Sequence, residues 1–172
     1  AESGVRTFRD NDGLWENHRV EDVATPEAFE DDPQLVWRFY QARREQLKTV
    51  EPNQAHKALA QLESLFGPEQ FFLVTQNVDD LHERGGSHQV CHMHGELLKT
   101  RCTQCQTVTH TDASLMEERN NAPLPHCKCG GLLRPHIVWF GEMPFAMPDI
   151  QTRLLKCTHF VAIGTSGVVY PA

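Results

Sequence analysis

The sequence of 172 residues has no long apolar run and no excess of basic residues. No run approaches the roughly 20 apolar residues that cross a bilayer, and the first residues lack the basic-then-apolar pattern of a signal peptide. The formal net charge of -7, without a dense stripe of Lys and Arg, argues against binding to nucleic acid phosphates. We therefore expect a cytoplasmic protein whose direct partners include neither a membrane nor a nucleic acid, and whose ligand is a small molecule or a peptide.

Internal repeats and low-complexity segments are also absent from the sequence. Hydrophobic residues make up 40% and charged residues 23%, which is typical of a globular protein of about one domain with a small insert. The chain begins abruptly at AESGVRTFRD and stops at GTSGVVYPA, directly after a predicted strand. We therefore expect a piece of a longer protein, with a sheet that is incomplete at both ends.

Residues typical of helix ends predict three helices in the first part of the chain. Thr25 is a candidate N-cap, and Pro33 starts a second helix that runs to about Lys48. Asn53 caps the third and clearest helix, which ends at Gly67. Apolar residues recur at helical spacing along the second and third helices: Val36, Phe39, Tyr40 and Leu47, then Ala55, Ala58, Leu59, Leu62, Leu65 and Phe66.

Two apolar runs that turn polar at their ends predict buried parallel strands: residues 71–76 (FFLVTQ) and 159–166 (HFVAIGTS). The predicted fold is therefore α/β, a Rossmann-like doubly wound parallel sheet with its site at the strand tips. Gln76, Asn77 and Asp79 follow the first strand, where they can hydrogen-bond a carboxamide or ribose hydroxyls. The alternative is that this Asn/Asp turn only caps the next helix.

Four of the six cysteines form two tight pairs, which favours a metal site over disulfides. Two residues separate Cys102 from Cys105, and one separates Cys127 from Cys129. Thiolates in such turns can reach one ion at about 2.3 Å, and four sulfurs leave zinc no open position for water. The sequence thus predicts one structural zinc. Because the second pair is shorter than the usual spacing, His126 remains an alternative to Cys127 as the fourth ligand.

If the cysteines hold the zinc, the two histidines before them are available for other chemistry. In an extended segment His92 and His94 point to the same face. His94 precedes Gly95, where a backbone can come close to a bound molecule. A lone histidine is usually structural, so local evidence makes His94 only a candidate base. A zinc hydrolase that uses both histidines and a cysteine around an open metal is an alternative interpretation.

Six segments occur in this order along the chain: AESGVRTFR, TQNVDDLHERGG, HMHGEL, the paired cysteines, LRPHIVWFGEMP and AIGTSGVVYPA. Together they resemble the sirtuins, the NAD-dependent protein lysine deacylases, over nearly the whole chain. The run FYQARR keeps a Tyr-x-x-Arg pair, Tyr40 and Arg43, which is similar to the bacterial deacetylase and desuccinylase class. The resemblance implies that NAD is a co-substrate, that acylated lysines of proteins or peptides are the substrates, and that nicotinamide and O-acyl-ADP-ribose are released.

The resemblance also implies a role for each candidate site residue. His94 is the base that deprotonates a ribose hydroxyl. Arg43 grips a succinyl or malonyl carboxylate with help from Tyr40, although by itself Arg43 would be assigned to a solvated basic face with Arg44 and Lys48. The cofactor-binding set is Ser3, Phe8, Arg9, Gln76, Asn77, Val78, Asp79, Gly164, Thr165 and Ser166. The substrate-binding set is Tyr40, Arg43, Val138, Trp139, Phe140 and Gly141.

The run IVWFGE is implied to pair with the extended substrate peptide, although it also fits a buried edge strand. The predicted domains are a partial Rossmann-like NAD-binding domain (1–12, 68–96 and 135–172), a helical module with the acyl-recognition helix (13–67) and a zinc-ribbon module (97–134). The glycine-rich turn that approaches the pyrophosphate in this family is absent from the sequence. A non-catalytic zinc-ribbon binding module and a protein ADP-ribosyltransferase therefore remain alternative functions.

Overall fold

The computed structural model describes residues 2–4, 14–15, 18–111 and 123–165. Within these residues the chain forms seven short strands and six helices, none of which is long and apolar enough to cross a membrane. In chain order they are β1 (Leu14–Trp15), β2 (His18–Arg19), α1 (Val20–Val23), α2 (Pro26–Asp31), α3 (Pro33–Leu47), α4 (Gln54–Phe66), β3 (Leu73–Thr75), α5 (Leu81–Arg84), β4 (Val90–His92), β5 (Gly95–Cys102), β6 (Val108–His110), β7 (Leu133–Ile137) and α6 (Met147–Lys156).

The three predicted helices are confirmed, with the caps in the predicted places. The Thr25 hydroxyl accepts a hydrogen bond from the Ala28 N–H, and this satisfies one of the free donors at the start of α2. Helix α3 begins at Pro33. Asn53 accepts from two N–H groups at the start of α4, and the His56 ring accepts in return from the Asn53 N–H. This capping box fixes the start of α4.

The apolar stripe that identifies α4 is not the side of the helix that is buried among the described residues. Leu65 is 75% exposed and Phe66 is 49% exposed. The buried side chains of α4 are instead those of His56, Ala60 and Glu63. Glu63 accepts hydrogen bonds from the N–H groups of residues 88 and 89, which tie α4 to the start of β4.

Parallel and antiparallel strand pairs are both present. Strands β3 and β4 are parallel, with Leu73 opposite Val90 and Thr75 opposite His92. Strand β5 lies between β6 and β7 in an antiparallel sheet of three strands. The ends of β3 and β4 lie side by side, so the residues that follow these strands are brought to one edge.

The predicted strand at residues 159–166 is not formed in its described part. Residues 159–165 have no strand structure and are exposed, with Phe160 at 75% and Val161 at 73%; Ser166 lies outside the described residues. The first predicted strand is confirmed but shorter than 71–76. Apolar composition shows that a segment would pair well in a sheet, but it does not supply the neighbouring strands that a buried parallel strand requires.

The core lies between α3 and the antiparallel sheet. The predicted stripe of α3 is buried, with Val36 and Tyr40 at 0% exposure. The alternative that Arg43 belongs to a solvated basic face is wrong, because Arg43 is 5% exposed and Arg44 only 1%. The Arg44 guanidinium donates to the Leu97 carbonyl at 2.8 Å and thereby joins α3 to β5. Burial lowers the pKa of Arg44 to about 10.

Candidate active site

His94 lies in the turn between β4 and β5, at the edge where the parallel strands end. Its Nδ1 is 3.2 Å from the Gln76 carbonyl oxygen. Since a carbonyl only accepts, Nδ1 carries the proton and donates, and the lone pair of the neutral ring is left on Nε2. Burial lowers the pKa of His94, although the hydrogen bond to Gln76 opposes this. A neutral imidazole with an unprotonated Nε2 is suited to act as a general base.

The backbone on both sides of His94 is tied to the segment that follows β7. The Val138 N–H donates to the His94 carbonyl at 2.9 Å, and the Phe145 N–H donates to the Met93 carbonyl at 2.8 Å. Gly95 has φ +88°, and a Cβ there would overlap the carbonyl oxygen of His136. The glycine after His94 thus permits a close approach of the protein's own strand β7, where the sequence had indicated an approach to a bound molecule.

The turn after β3 carries four of the predicted cofactor-binding residues. The Asp79 carboxylate is buried and accepts from the N–H of Leu81, the first residue of α5, at 3.2 Å, although the N-cap position itself is Asp80. The side chain of Asn77 is exposed, and the amide of Gln76 donates to the Thr165 hydroxyl at 3.3 Å. Two predicted cofactor-binding segments therefore meet next to His94.

The other predicted cofactor-binding residues are less central in the described part of the chain. Val78 is half-buried, and its carbonyl accepts from the Leu97 N–H at 2.7 Å, which fixes the turn against β5. Ser3 is half-buried and Gly164 is exposed. Phe8, Arg9 and Ser166 lie outside the described residues.

His92 contacts the same turn as His94, but its surroundings differ. Its Nδ1 is 3.2 Å from the Asn77 carbonyl, and its Nε2 is 2.7 Å from a carboxylate oxygen of Glu83. Burial alone would lower the pKa of His92, but the hydrogen bond to Glu83 and its charge outweigh burial, so the pKa is raised. Sequence reasoning missed Glu83, although it lies within the quoted TQNVDDLHERGG segment.

Tyr40 and Trp139 are brought together inside the core. The indole Nε1 of Trp139 donates to the Tyr40 hydroxyl at 2.9 Å, and the two residues are 0% and 2% exposed. Burial raises the pKa of Tyr40 far above its usual value. Arg43 is one turn further along α3 and is also buried. The predicted acyl-recognition residues thus lie in the interior near the start of the segment 138–141.

The segment that follows β7 is held by an acidic residue that sequence reasoning did not identify. The Glu142 carboxylate accepts hydrogen bonds from both terminal nitrogens of Arg134, at 2.6 and 2.9 Å, and from the N–H of Trp139 at 2.8 Å. Val138 is half-buried, whereas Phe140 is 50% exposed and Gly141 is exposed. This turn presents the Phe140 ring and the backbone of Gly141 at the surface.

The four paired cysteines converge on one point. Their sulfur atoms all lie within 4.8 Å of one another; Cys102 and Cys129 are 3.5 Å apart, and Cys105 and Cys127 are 3.7 Å apart. Four thiolates around a tetrahedral zinc at about 2.3 Å would be separated by about 3.8 Å, so these sulfurs are positioned to bind zinc. A Cβ at Gly131 would lie 2.6 Å from the Cys102 sulfur, so only glycine leaves room there.

Histidine does not belong to this sulfur group. The Nδ1 of His126 is 2.9 Å from the Leu124 carbonyl, which favours Cys127 over His126 as the fourth ligand. Of the residues that the structure describes, the only cluster of three or more candidate metal ligands is the four cysteines. The arrangement of His92, His94 and a cysteine around an open metal is therefore not found in this part of the chain.

Comparison with known proteins gives the family. The model of the Sir2 family matches residues 1–171, almost the full length of the chain. The chain belongs to the Sir2 family. The resemblance seen in its motifs is thereby confirmed, and so is an α/β fold of Sir2 type with parallel and antiparallel sheets.

This Sir2 chain is similar to bacterial proteins along its full length. It is 57% identical over 175 residues to an NAD-dependent protein deacylase of Yersinia pseudotuberculosis and 55% identical over 175 residues to that of Escherichia coli K12. Both alignments cover 100% of this chain and 61% of the relative. The Sir2 chain thus spans about three fifths of the length of these relatives.

Solved Sir2 structures share the fold. A Sir2 homologue in complex with NAD superimposes with a TM-score of 0.82 at 46% identity, covering 99% of this chain and 65% of that chain. A Sir2 mutant with a p53 peptide and NAD gives a TM-score of 0.77 at 28% identity, covering 99% of this chain and 68% of that chain. These are ligands of the neighbours, and they indicate which ligands to test here.

Proposed function

We propose that this chain carries the catalytic base and part of the NAD site of a protein lysine deacylase, active on acetyl- and succinyl-lysine. The observation that carries the proposal is the hydrogen bond between His94 Nδ1 and the Gln76 carbonyl, which leaves Nε2 unprotonated at the strand ends. Full-length relatives bear the name NAD-dependent protein deacylase, which supports the assignment. The reaction proposed releases nicotinamide and moves the acyl group from lysine to ADP-ribose.

In this proposal NAD supplies an electrophilic ribose carbon, which the acyl oxygen attacks as nicotinamide leaves. Gln76, Asn77 and Asp79 orient the nicotinamide end, and the exposed amide of Asn77 is the group best placed to bind a carboxamide. His94 then accepts a proton from a ribose hydroxyl, which makes that oxygen nucleophilic. The contact of Gln76 with Thr165 supports placing the ribose near Gly164 and Thr165. Val78, Ser3, Phe8, Arg9 and Ser166 complete the proposed set.

The segment 138–141 is proposed to receive the substrate peptide by adding a strand through backbone hydrogen bonds. Val138 and Trp139 would line the path of the acyl-lysine, with Phe140 and Gly141 at its entrance. The hydrogen bond from the Val138 N–H to the His94 carbonyl supports this, because it keeps the segment that would bind the peptide next to the base.

We further propose that Arg43 and Tyr40 select acidic acyl groups. A guanidinium can bind a succinyl carboxylate with two charge-assisted hydrogen bonds, which an acetyl group cannot accept. Burial of Arg43 at 5% exposure supports the role, because such an ion pair is stronger when it is shielded from water.

The finer architecture is part of the same proposal. The parallel pair β3–β4 would belong to a doubly wound NAD-binding domain formed by residues 1–12, 68–96 and 135–172. Residues 13–67 would form the helical module. Residues 97–134 would form a zinc ribbon whose metal is structural, because four thiolates leave no position for water.

The reaction is tested by incubating the chain with NAD and an acetyl-lysine peptide, and following nicotinamide and peptide mass. We expect nicotinamide, deacylated peptide and O-acyl-ADP-ribose in equal amounts. His94→Ala should lower kcat by at least about 100-fold, because it removes the base. His110→Ala, at an exposed position on β6, is the control. Label from NAD fixed on protein would indicate ADP-ribosyl transfer, and no nicotinamide release would favour a binding module.

Acyl selectivity is tested by comparing succinyl- and acetyl-lysine peptides with Arg43→Met. Loss of a charge-assisted pair predicts a fall of about 10- to 100-fold in kcat/KM for desuccinylation, with deacetylation changed less than about threefold. Arg38→Met, an exposed arginine of the same helix, is the matched control. Equal loss of both activities with an unchanged melting temperature would refute the carboxylate role of Arg43.

A further inference from the structure

The ring of His92 has a hydrogen-bond acceptor at each nitrogen. Nδ1 lies 3.2 Å from the Asn77 carbonyl, and Nε2 lies 2.7 Å from the Glu83 carboxylate. Neither partner can donate when the carboxylate is ionised, so both ring nitrogens must carry protons for both bonds to form. The side chain is only 7% exposed, so water competes little for either bond. His92 is therefore held as an imidazolium cation.

Two histidines thus contact two consecutive carbonyls of the same turn. One ring nitrogen of His94 donates to the Gln76 carbonyl, and the other is unprotonated. One ring nitrogen of His92 donates to the Asn77 carbonyl, and the other donates to the Glu83 carboxylate of α5. We propose that His92 is a positioning residue, whose cationic ring ties the Asn77 carbonyl to Glu83 and so holds the turn that orients the nicotinamide end of NAD. This inference rests on the proposed function.

The charges around His92 favour the cation. Helix α5 presents Glu83 and also His82, and β5 presents Glu96. His82 is itself neutral at ordinary pH, because burial lowers its pKa. Burial would raise the pKa of Glu83, but the hydrogen bonds from His92 and the backbone, together with electrostatic interactions with His92 and His82, outweigh burial and the pKa is lowered. The negative charges of Glu83 and Glu96 therefore stabilise the protonated form of His92, and the neutral His82 does not offset them.

The two histidines set opposite limits on the working pH. His94 must be neutral to act as a base, so activity falls as pH drops through its lowered pKa. His92 must be charged to keep both bonds, and loss of the Nδ1 proton turns a lone pair toward the Asn77 carbonyl oxygen. The turn is then released, so NAD binding weakens as pH rises through the raised pKa of His92. We expect kcat to follow the acidic limit and KM for NAD to follow the alkaline one.

Glu83→Gln tests the role of the cation, because glutamine retains an oxygen acceptor for Nε2 but removes the charge. We expect KM for NAD to rise about tenfold at pH 7.5 to 8, by the loss of a charge-assisted bond, with kcat changed less than about twofold. The alkaline limit should move to lower pH and the acidic limit should stay. Glu51→Gln is the control, since it removes a charge that also contacts α5, at Arg84, on the exposed side.

His92→Gln is the second variant, because its amide has no proton to lose in this range. It should raise KM for NAD at all pH values and abolish the alkaline limit. A rise in KM that is independent of pH in Glu83→Gln would mean a merely structural role, and would overturn the proposal.

NMR of the chain labelled in histidine rings and backbone carbonyls gives a readout that needs no turnover. We expect both nitrogens of His92 to be protonated at neutral pH, and the Asn77 carbonyl resonance to move with the His92 titration. A neutral His92 at pH 6, or an Asn77 carbonyl that does not respond, would overturn the inference. If the chain releases no nicotinamide at any pH while the NMR result is as expected, the proposed function is wrong. The hydrogen bonds by which His92 holds the turn are then still supported.

Discussion

At the scale of single residues, His92 and His94 illustrate how environment assigns chemistry. They are two positions apart in sequence, and each bonds a carbonyl of the same turn. A carboxylate behind His92 raises its pKa, whereas burial without a charge partner lowers the pKa of His94. The surroundings thereby favour the charged form of one ring and the neutral form of the other.

Tyr40 gives a prediction of stability at this scale. Tyr40→Phe leaves the indole N–H of Trp139 buried without its acceptor, since the bond of 2.9 Å lies in a fully buried part of the core. We expect the free energy of unfolding to fall by about 1–3 kcal/mol. Urea unfolding of Tyr40→Phe, Trp139→Phe and the double variant measures it. A coupling energy near zero between the two positions would contradict a direct bond.

Sequence reasoning succeeded for groups whose partners are a few residues away and failed where partners are distant. Thr25 and Asn53 cap their helices through bonds that span two or three residues, so local pattern is sufficient. The partner of His92 and the burial of Arg43 depend on how α5 and α3 pack, which no local spacing encodes. His94 was identified only because the motif around it resembles a family.

At the scale of elements, the start of α4 matters because it carries a capping box. Asn53 binds two N–H groups, and His56 returns a bond to the Asn53 N–H. Glu63 on the same helix binds the N–H groups before β4. The helix is thereby attached to the segment that leads to His92 and His94.

Removing the cap should weaken the whole element. Asn53→Ala leaves two N–H groups without a side-chain acceptor, and we expect a loss of about 1 kcal/mol in the free energy of unfolding. Chemical denaturation followed by circular dichroism measures the change. Gln54→Ala, at an exposed position in the same turn, should change stability by less than about 0.5 kcal/mol. Equal effects of the two substitutions would contradict the capping role.

The error at residues 159–165 is also a matter of elements. Their apolar sequence predicts a buried strand, yet the residues are exposed and form no strand. Strand formation depends on neighbours that are supplied by other parts of a sheet. By contrast, β3 forms where it was expected because β4 pairs with it in parallel.

At the scale of the whole molecule, the four cysteines join segments that are far apart in sequence. Cys102 ends β5 and Cys129 precedes β7, so a zinc bound by them would fix the order of the antiparallel sheet. The same sheet carries, at its other end, the backbone contacts around His94. Metal binding is therefore expected to affect folding without taking part in the chemistry.

Zinc removal tests this separation. Metal analysis should find about one zinc per chain, and chelation should lower the melting temperature by about 10 °C or more, because a structural site contributes several kcal/mol. Cys127→Ser should lose zinc, whereas His126→Ala, its neighbour, should retain it. His94→Ala should also retain zinc. A chain that loses its zinc with either histidine would contradict the all-sulfur site.

The hydrogen bond between Val138 and His94 has a consequence for how substrates would be distinguished. One backbone hydrogen bond of 2.9 Å connects the proposed docking segment to the carbonyl of His94, the proposed base. A peptide that seats poorly would therefore tilt the imidazole as well as bind weakly. Peptides with different sequences around the modified lysine would then differ in turnover rate more than in binding to the site. Selectivity would arise in the proton-transfer step.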